Sequence, residues 1–132
     1  MFTVQQVKAA HQKVKSGADF PRYVQEIKAL GLIRYEYLVA DGRTIYYGSD
    51  NYSVEAPAIY PQKKINPIAS VSTMEHNIRE HQQGKSDFLT ICQQAADAGV
   101  HHWEVNAQTM LCSYFDSNSQ LMLAEPIPQG NY

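Results

Sequence analysis

Residues 18–49 read ADFPRYVQEIKALGLIRYEYLVADGRTIYYGS, and residues 86–117 read SDFLTICQQAADAGVHHWEVNAQTMLCSYFDS. The two strings align without a gap at an offset of 68 residues, with seven identities over 32 positions. These are Asp19/Asp87, Phe20/Phe88, Gln25/Gln93, Gly31/Gly99, Glu36/Glu104, Tyr46/Tyr114 and Ser49/Ser117. Chance would give about two at ordinary residue frequencies. Tyr35/Trp103, Leu32/Val100 and Tyr47/Phe115 keep size and polarity, and at an offset of 70 Thr3/Thr73, His11/His81 and Gln12/Gln82 also match. A self-match at a fixed period is the mark of a repeated unit, so a tandem duplication is expected.

The apolar pattern supports the same division. Phe20, Tyr23, Val24, Ile27 and Leu30 fall on one face of a helix, and Phe88, Ile91, Cys92, Ala95 and Ala98 fill the equivalent slots. Asp19 and Asp87 are placed to cap these helices with a carboxylate. Pro21 suits a first turn, where its missing N–H is tolerated. Gly31 and Gly99 follow the last apolar residue, where a left-handed C-cap excludes most side chains. An earlier helix precedes each, opened by the capping-box patterns Thr3-x-x-Gln6 and Ser72-x-x-Glu75. Val4, Val7, His11 and Val14 mark the inner face of the first, and Met74, Ile78 and His81 that of its counterpart.

After each glycine the period changes to two. Ile33, Tyr35, Tyr37 and Val39 alternate with Arg34, Glu36 and Leu38, and Asp41-Gly42 signals a two-residue hairpin turn before Arg43–Gly48. Val100–Asn106 and Thr109–Phe115 repeat the hairpin across Asn106-Ala107-Gln108, and Gln120–Ala124 reads as an extra strand. The expected fold is α+β: a tandem α-α-β-β unit forming one antiparallel sheet, with helices on one face and a pseudo-two-fold axis. One domain over 1–132 is expected, with repeat one about 3–49, repeat two about 73–125 and a tail at 126–132. The link 50–72 contains Pro57, Pro61 and Pro67; its length predicts a short strand or a path wrapped over the surface.

Composition bounds the function classes. Apolar residues make up 44% and charged residues 18% of the 132, which is globular. No apolar run approaches the roughly 20 residues of a membrane span, and the N-terminal residues lack a signal-peptide core. A cytoplasmic protein with no membrane partner is the expectation. A net charge of −2 argues against nucleic acid. Residues 1–66 carry +3 and residues 67–132 carry −5, a split that fits docking of the halves, within a chain or in a homodimer, and equally a chance imbalance on solvated faces. Cys92 and Cys112 are too far apart for a redox or zinc pair and are expected to be free, buried thiols.

From His81 to Pro128 the string HQQGKSDFLTICQQAADAGVHHWEVNAQTMLCSYFDSNSQLMLAEPIP resembles a small bacterial and prophage family, the YdfO-like proteins, often labelled phage envelope protein. The resemblance rests on His81-Gln82, Gly84-Lys85, Asp87, Ala95, Gly99, Trp103, Cys112-x-Tyr114-x-Asp116 and Glu125-Pro126-Ile127-Pro128. It implies a small α+β domain of unknown function, and no site residue.

The residues themselves offer a short set of candidates. Gly84-Lys85-Ser86 lacks the earlier glycine of a phosphate loop and reads as a helix end before the next cap. His76 and Glu80 could share an ion but lack a third ligand, so no metal and no cofactor are expected. Glu36 and Glu104 occupy matching mid-strand positions where close carboxylates would raise one pKa; the alternative is a solvated face with Glu36 paired to Arg34 and Glu104 to His102. His11 and His81 occupy matching inner helical positions, either as satisfied half-buried imidazoles or as walls of a shared cavity. Tyr35, Tyr37, Trp103 and Tyr114 are the ligand-contact candidates, with strand packing as the alternative. Two functions stay open: a non-enzymatic interaction protein, or a small-molecule binder or enzyme with a site between the repeats.

Overall fold

The computed structural model describes residues 2–14 and 19–127. Four helices, α1 (Val4–His11), α2 (Phe20–Ala29), α3 (Val71–Gln82) and α4 (Phe88–Asp97), accompany six strands. The strands are β1 (Leu32–Leu38), β2 (Thr44–Gly48), β3 (Ser53–Ala56), β4 (His102–Asn106), β5 (Leu111–Phe115) and β6 (Leu121–Pro126). They form one antiparallel sheet in the order β3-β2-β1-β4-β5-β6. The fold is α+β.

The central pair sets the symmetry of the sheet. Glu36 lies opposite Glu104 in the β1–β4 register, with Arg34 opposite Asn106 and Leu38 opposite His102. Each half therefore contributes three strands, not two. Strand β3 starts at Ser53 and β6 at Leu121, again 68 residues apart. Left-handed backbone positions recur at the same interval: Gly31 and Gly99, Gly42 and Met110, Asn51 and Ser119.

Several local expectations change. Thr3 and Gln6 do form a capping box, but α3 starts from Ser70, whose hydroxyl accepts from the Thr73 N–H, and not from Ser72. Asp87 Oδ1 accepts from the Thr90 N–H at 2.8 Å, whereas Asp19 is itself helical and makes no side-chain cap. The Asp41-Gly42 turn is a four-residue loop, closed where the Leu38 N–H donates to the Arg43 carbonyl. Its counterpart runs from Ala107 to Met110, so the turn lies beyond Asn106, whose side chain caps it through the Gln108 and Thr109 N–H groups. A bulge between Leu32 and Arg34 turns Leu32 inward where the alternation placed Ile33.

The link combines both expected behaviours. It adds β3 to the sheet edge through β2. It then runs past the β1–β2 loop, where the Ile59 and Lys63 N–H groups donate to the Asp41 and Ala40 carbonyls. Further on it reaches the end of α4, donating from Asn66 to Ala96 and from Ser70 to Ala98. Gly99 has φ +86°, and a Cβ there would come within 2.7 Å of the Ala69 Cα, so this crossing needs glycine for space as well as for backbone.

Tyr35, Tyr37, Trp103 and Val105 are buried under the helices, while Arg34, Glu36, His102 and Glu104 on the other face are only half-buried. Cys92 and Cys112 are free and buried. No helix of the described residues is long and apolar enough to cross a membrane.

Candidate functional site

Helices and sheet do not close completely on one another. Between them lies a cavity of about 470 Å³, a volume within the range of small-molecule sites. Matching positions of the two halves wall it: His11 and His81, Phe20 and Phe88, Tyr23 and Ile91, Tyr35 and Trp103, Thr44 and Cys112, Tyr46 and Tyr114. Tyr37 also lines it, with Lys8, Ile78, Gln82 and Glu125.

Aromatic side chains alternate along the strands because each inward position there is bulky and apolar. Tyr37 stacks on Trp103 with centroids 4.4 Å apart, and Phe88 from α4 stands edge-on to both, at 5.5 and 6.5 Å. His11 lies edge-on between Tyr23 and Phe88, at 5.4 and 5.1 Å. These edge and offset arrangements satisfy the ring quadrupoles.

The polar atoms of the wall divide into satisfied and open ones. Tyr37 Oη donates to Tyr60 Oη at 3.1 Å and lies 3.2 Å from Cys92 Sγ, and Tyr60 in turn donates to the Val39 carbonyl at 2.6 Å. Tyr35 is 6% exposed, and among the described residues nothing hydrogen-bonds its hydroxyl. Burial, reinforced by the neighbouring Tyr23, keeps that hydroxyl protonated far above neutral pH. Burial likewise raises the Cys112 thiol to about 12.

Both imidazoles are held below their ordinary pKa by burial. His81 Nδ1 lies 3.1 Å from the Ser86 carbonyl oxygen. The Ser86 Oγ lies 3.1 Å from the same nitrogen, so Ser86 engages Nδ1 rather than Nε2. At neutral pH the charged groups on the wall, among the described residues, are Lys8 and Glu125.

Glu36 and Glu104 are not part of this cavity. They face each other on the uncovered side of the sheet, so the expected wall of four groups separates into histidines inside and carboxylates outside. The alternation had already put them opposite Tyr35 and Trp103, and the helices cover the aromatic side. Arg34 Nη1 donates to Glu36 Oε1 at 2.7 Å and its guanidinium sits 3.8 Å over the Tyr47 ring. Partial burial works to lower the Arg34 pKa, but Glu36 and the charge of Glu104 outweigh it and raise it. Glu104 has no ion pair with His102 among the described residues; His102 stacks on Phe115 at 4.8 Å instead.

A family model described as protein of unknown function (DUF1398) matches residues 8–126. The chain belongs to the DUF1398 family. No curated protein matches it. In this DUF1398 protein the four ligand-contact candidates, Tyr35, Tyr37, Trp103 and Tyr114, all line the cavity. Glu125 escaped the sequence reading because it lay at the end of the extra strand. Its register opposite Cys112, two residues beyond Leu123 opposite Tyr114, puts it on the inner face. The period of two from Leu123 was the available signal. His76 Nε2 and Glu80 Oε1 form an exposed pair at 3.4 Å, and no group of three metal-ligating side chains gathers among the described residues.

Proposed function

We propose that this protein binds a small molecule in the cavity between its helices and its sheet, without turning it over. The observation that carries this is the 470 Å³ space walled by both halves, with the buried residue Tyr35 and its unpaired hydroxyl among the wall groups described. Well-packed cores hold few voids larger than a water molecule, so a space of this size is a cost that a guest would offset. Binding without turnover is favoured because the thiol on the wall, Cys112, is raised by burial and so is not a thiolate at neutral pH. We further infer that the two halves are copies of one unit. The support is the register centred on Glu36 and Glu104 and the left-handed positions repeated 68 residues apart.

A second reading has a specific observation behind it. The uncovered sheet face carries Leu111, 38% exposed, with Leu121 at its edge, 58% exposed, which favours contact with a protein, a second copy included. The likeness of residues 81–128 to YdfO-like proteins makes a prophage setting part of this proposal, with a cytoplasmic location. A thermal-shift screen against chemically diverse metabolites, run beside a solution mass, separates the two readings. Binding to the folded state alone raises the melting temperature, so one or more saturable stabilisers are expected. A flat screen together with a dimeric mass would transfer the function to the open face.

A further inference from the structure

Resting on that reading of the cavity, we propose that its guest is a neutral aromatic molecule carrying one hydroxyl or N–H, with its ring against Trp103 and Phe88 and its polar group toward Tyr35. Three features of the wall select this class: its charge, its rings and an uneven distribution of hydroxyls.

Charge comes first. His11 and His81 are both shifted toward the neutral form, and the remaining charged groups, Lys8 and Glu125, are of opposite sign. A buried charge without a partner is costly, and with Lys8 exposed and Glu125 half-buried the buried aromatic part of the wall offers an ionic guest no counter-charge. The guest is therefore neutral.

Rings decide between aromatic and aliphatic. Phe88 and Trp103 meet edge to face, and the Trp103–Tyr37 stack is tilted by only 18°, so ring faces and edges make up the second half's wall. An aromatic pair adds about two- to tenfold in affinity beyond the area it buries, a gain an aliphatic chain does not receive.

Hydroxyls orient the guest. Three equivalent pairs on the wall differ in the same sense: Tyr23 corresponds to Ile91, Tyr35 to Trp103 and Thr44 to Cys112. The scaffold is nearly two-fold, but the hydroxyl-bearing residue lies in the first half each time. A molecule with one polar end fits such a wall in one direction only. Tyr35 Oη can donate or accept, and His81, whose Nδ1 is engaged by Ser86, leaves Nε2 to meet the guest's polar group.

Trp103 is the single tryptophan of the chain, so indole emission reports directly on this wall. Excited at the red edge of the indole band, it can be titrated with three neutral probes: biphenyl-4-ol, biphenyl and 1-decanol. Biphenyl-4-ol is expected to change the emission saturably and to bind about fivefold or more tighter than the other two, the worth of one buried hydrogen bond. Tyr35→Phe, which keeps the ring, is expected to remove the gap between biphenyl-4-ol and biphenyl while leaving biphenyl's affinity unchanged. Equal affinity for biphenyl and biphenyl-4-ol, or 1-decanol binding as tightly as either, overturns the ligand class and leaves the cavity a binding site. No saturable change with any probe, alongside a flat thermal screen, overturns the cavity reading itself. The three-probe comparison uses the unaltered chain and does not depend on a variant folding.

Discussion

On β1 and β4, adjacent residues meet opposite surroundings. Tyr35 and Trp103 turn toward the helices and enclose a cavity, while Glu36 and Glu104 turn away and face each other on an uncovered surface. Both pairs lie at the centre of the sheet, and both occupy matching positions of the two halves. On the inner face the pair differs, a phenol against an indole. On the outer face it is identical, and two like charges stand side by side, a destabilising arrangement unless something compensates. Arg34 compensates, bound to Glu36 and within the field of Glu104. Identity between halves therefore marks no site by itself. The inner face shows instead that a near-symmetric scaffold acquires a direction when a few paired residues differ in polarity.

Substitution on each face gives the largest test of this contrast. Trp103→Ala removes a buried ring stacked on Tyr37 and is expected to cost about 3–5 kcal/mol. Glu104→Ala, half-buried beside another carboxylate, is expected to stay within about 0.5 kcal/mol of the parent. Urea unfolding followed by circular dichroism measures both. Losses of similar size would mean that the outer face is packed as firmly as the inner one.

Acid provides the next test, because the inner face holds two desolvated histidines and the outer face one among the described residues. His11 and His81 inside, and His102 outside, all have pKa values lowered from 6.5, in each case first by burial. Below 6.5 the unfolded chain takes up protons that the folded chain resists. Stability is therefore full above that value and falls as pH drops through the window down to the folded pKa values. Unfolding free energies measured from about pH 7.5 downward should decline across that window and then level. Replacing His11 and His81 by Phe and Gln should flatten the decline more than His102→Gln does. The reverse order would place the stronger desolvation on the outer face.

Much of this contrast is legible in the amino-acid sequence. The alternation across Ile33–Val39 already separates Tyr35 and Tyr37 from Glu36, and the paired glycines after each apolar stripe locate the helix ends. What escapes has identifiable physics. Strand β3 is only four residues, Ser53–Ala56, followed by prolines, so its pairing comes from the β2 edge and not from its own period. The bulge at β1 reverses Leu32 and Ile33, a choice made by the twist of the paired strand. Ser70 takes the cap from Ser72 because the link bonds its N–H to the Ala98 carbonyl, a tertiary contact no local motif encodes. A shared cavity walled by His11 and His81 is one of two alternatives in the sequence, and nothing there decides between them. The cavity is volume left unfilled where helices cross the sheet, and the same apolar stripes would describe a closed core.

Arg34 offers the smallest and most specific test. Its guanidinium bridges to Glu36 at 2.7 Å, with the two side chains 33% and 28% exposed, and covers the Tyr47 ring. A half-exposed ion pair contributes up to about 1 kcal/mol, and the cation–π contact adds about 0.5 kcal/mol. Arg34→Ala should therefore cost roughly 1 kcal/mol at low salt and less at high salt, where the carboxylates it leaves behind are screened. If Arg34 serves to keep Glu36 and Glu104 together, Glu104→Gln should recover part of that loss in the Arg34→Ala chain while doing little alone. A double-mutant cycle isolates this coupling. Strict additivity would mean that Glu104 does not feel Arg34, and the facing carboxylates would then have to be tolerated by solvent alone.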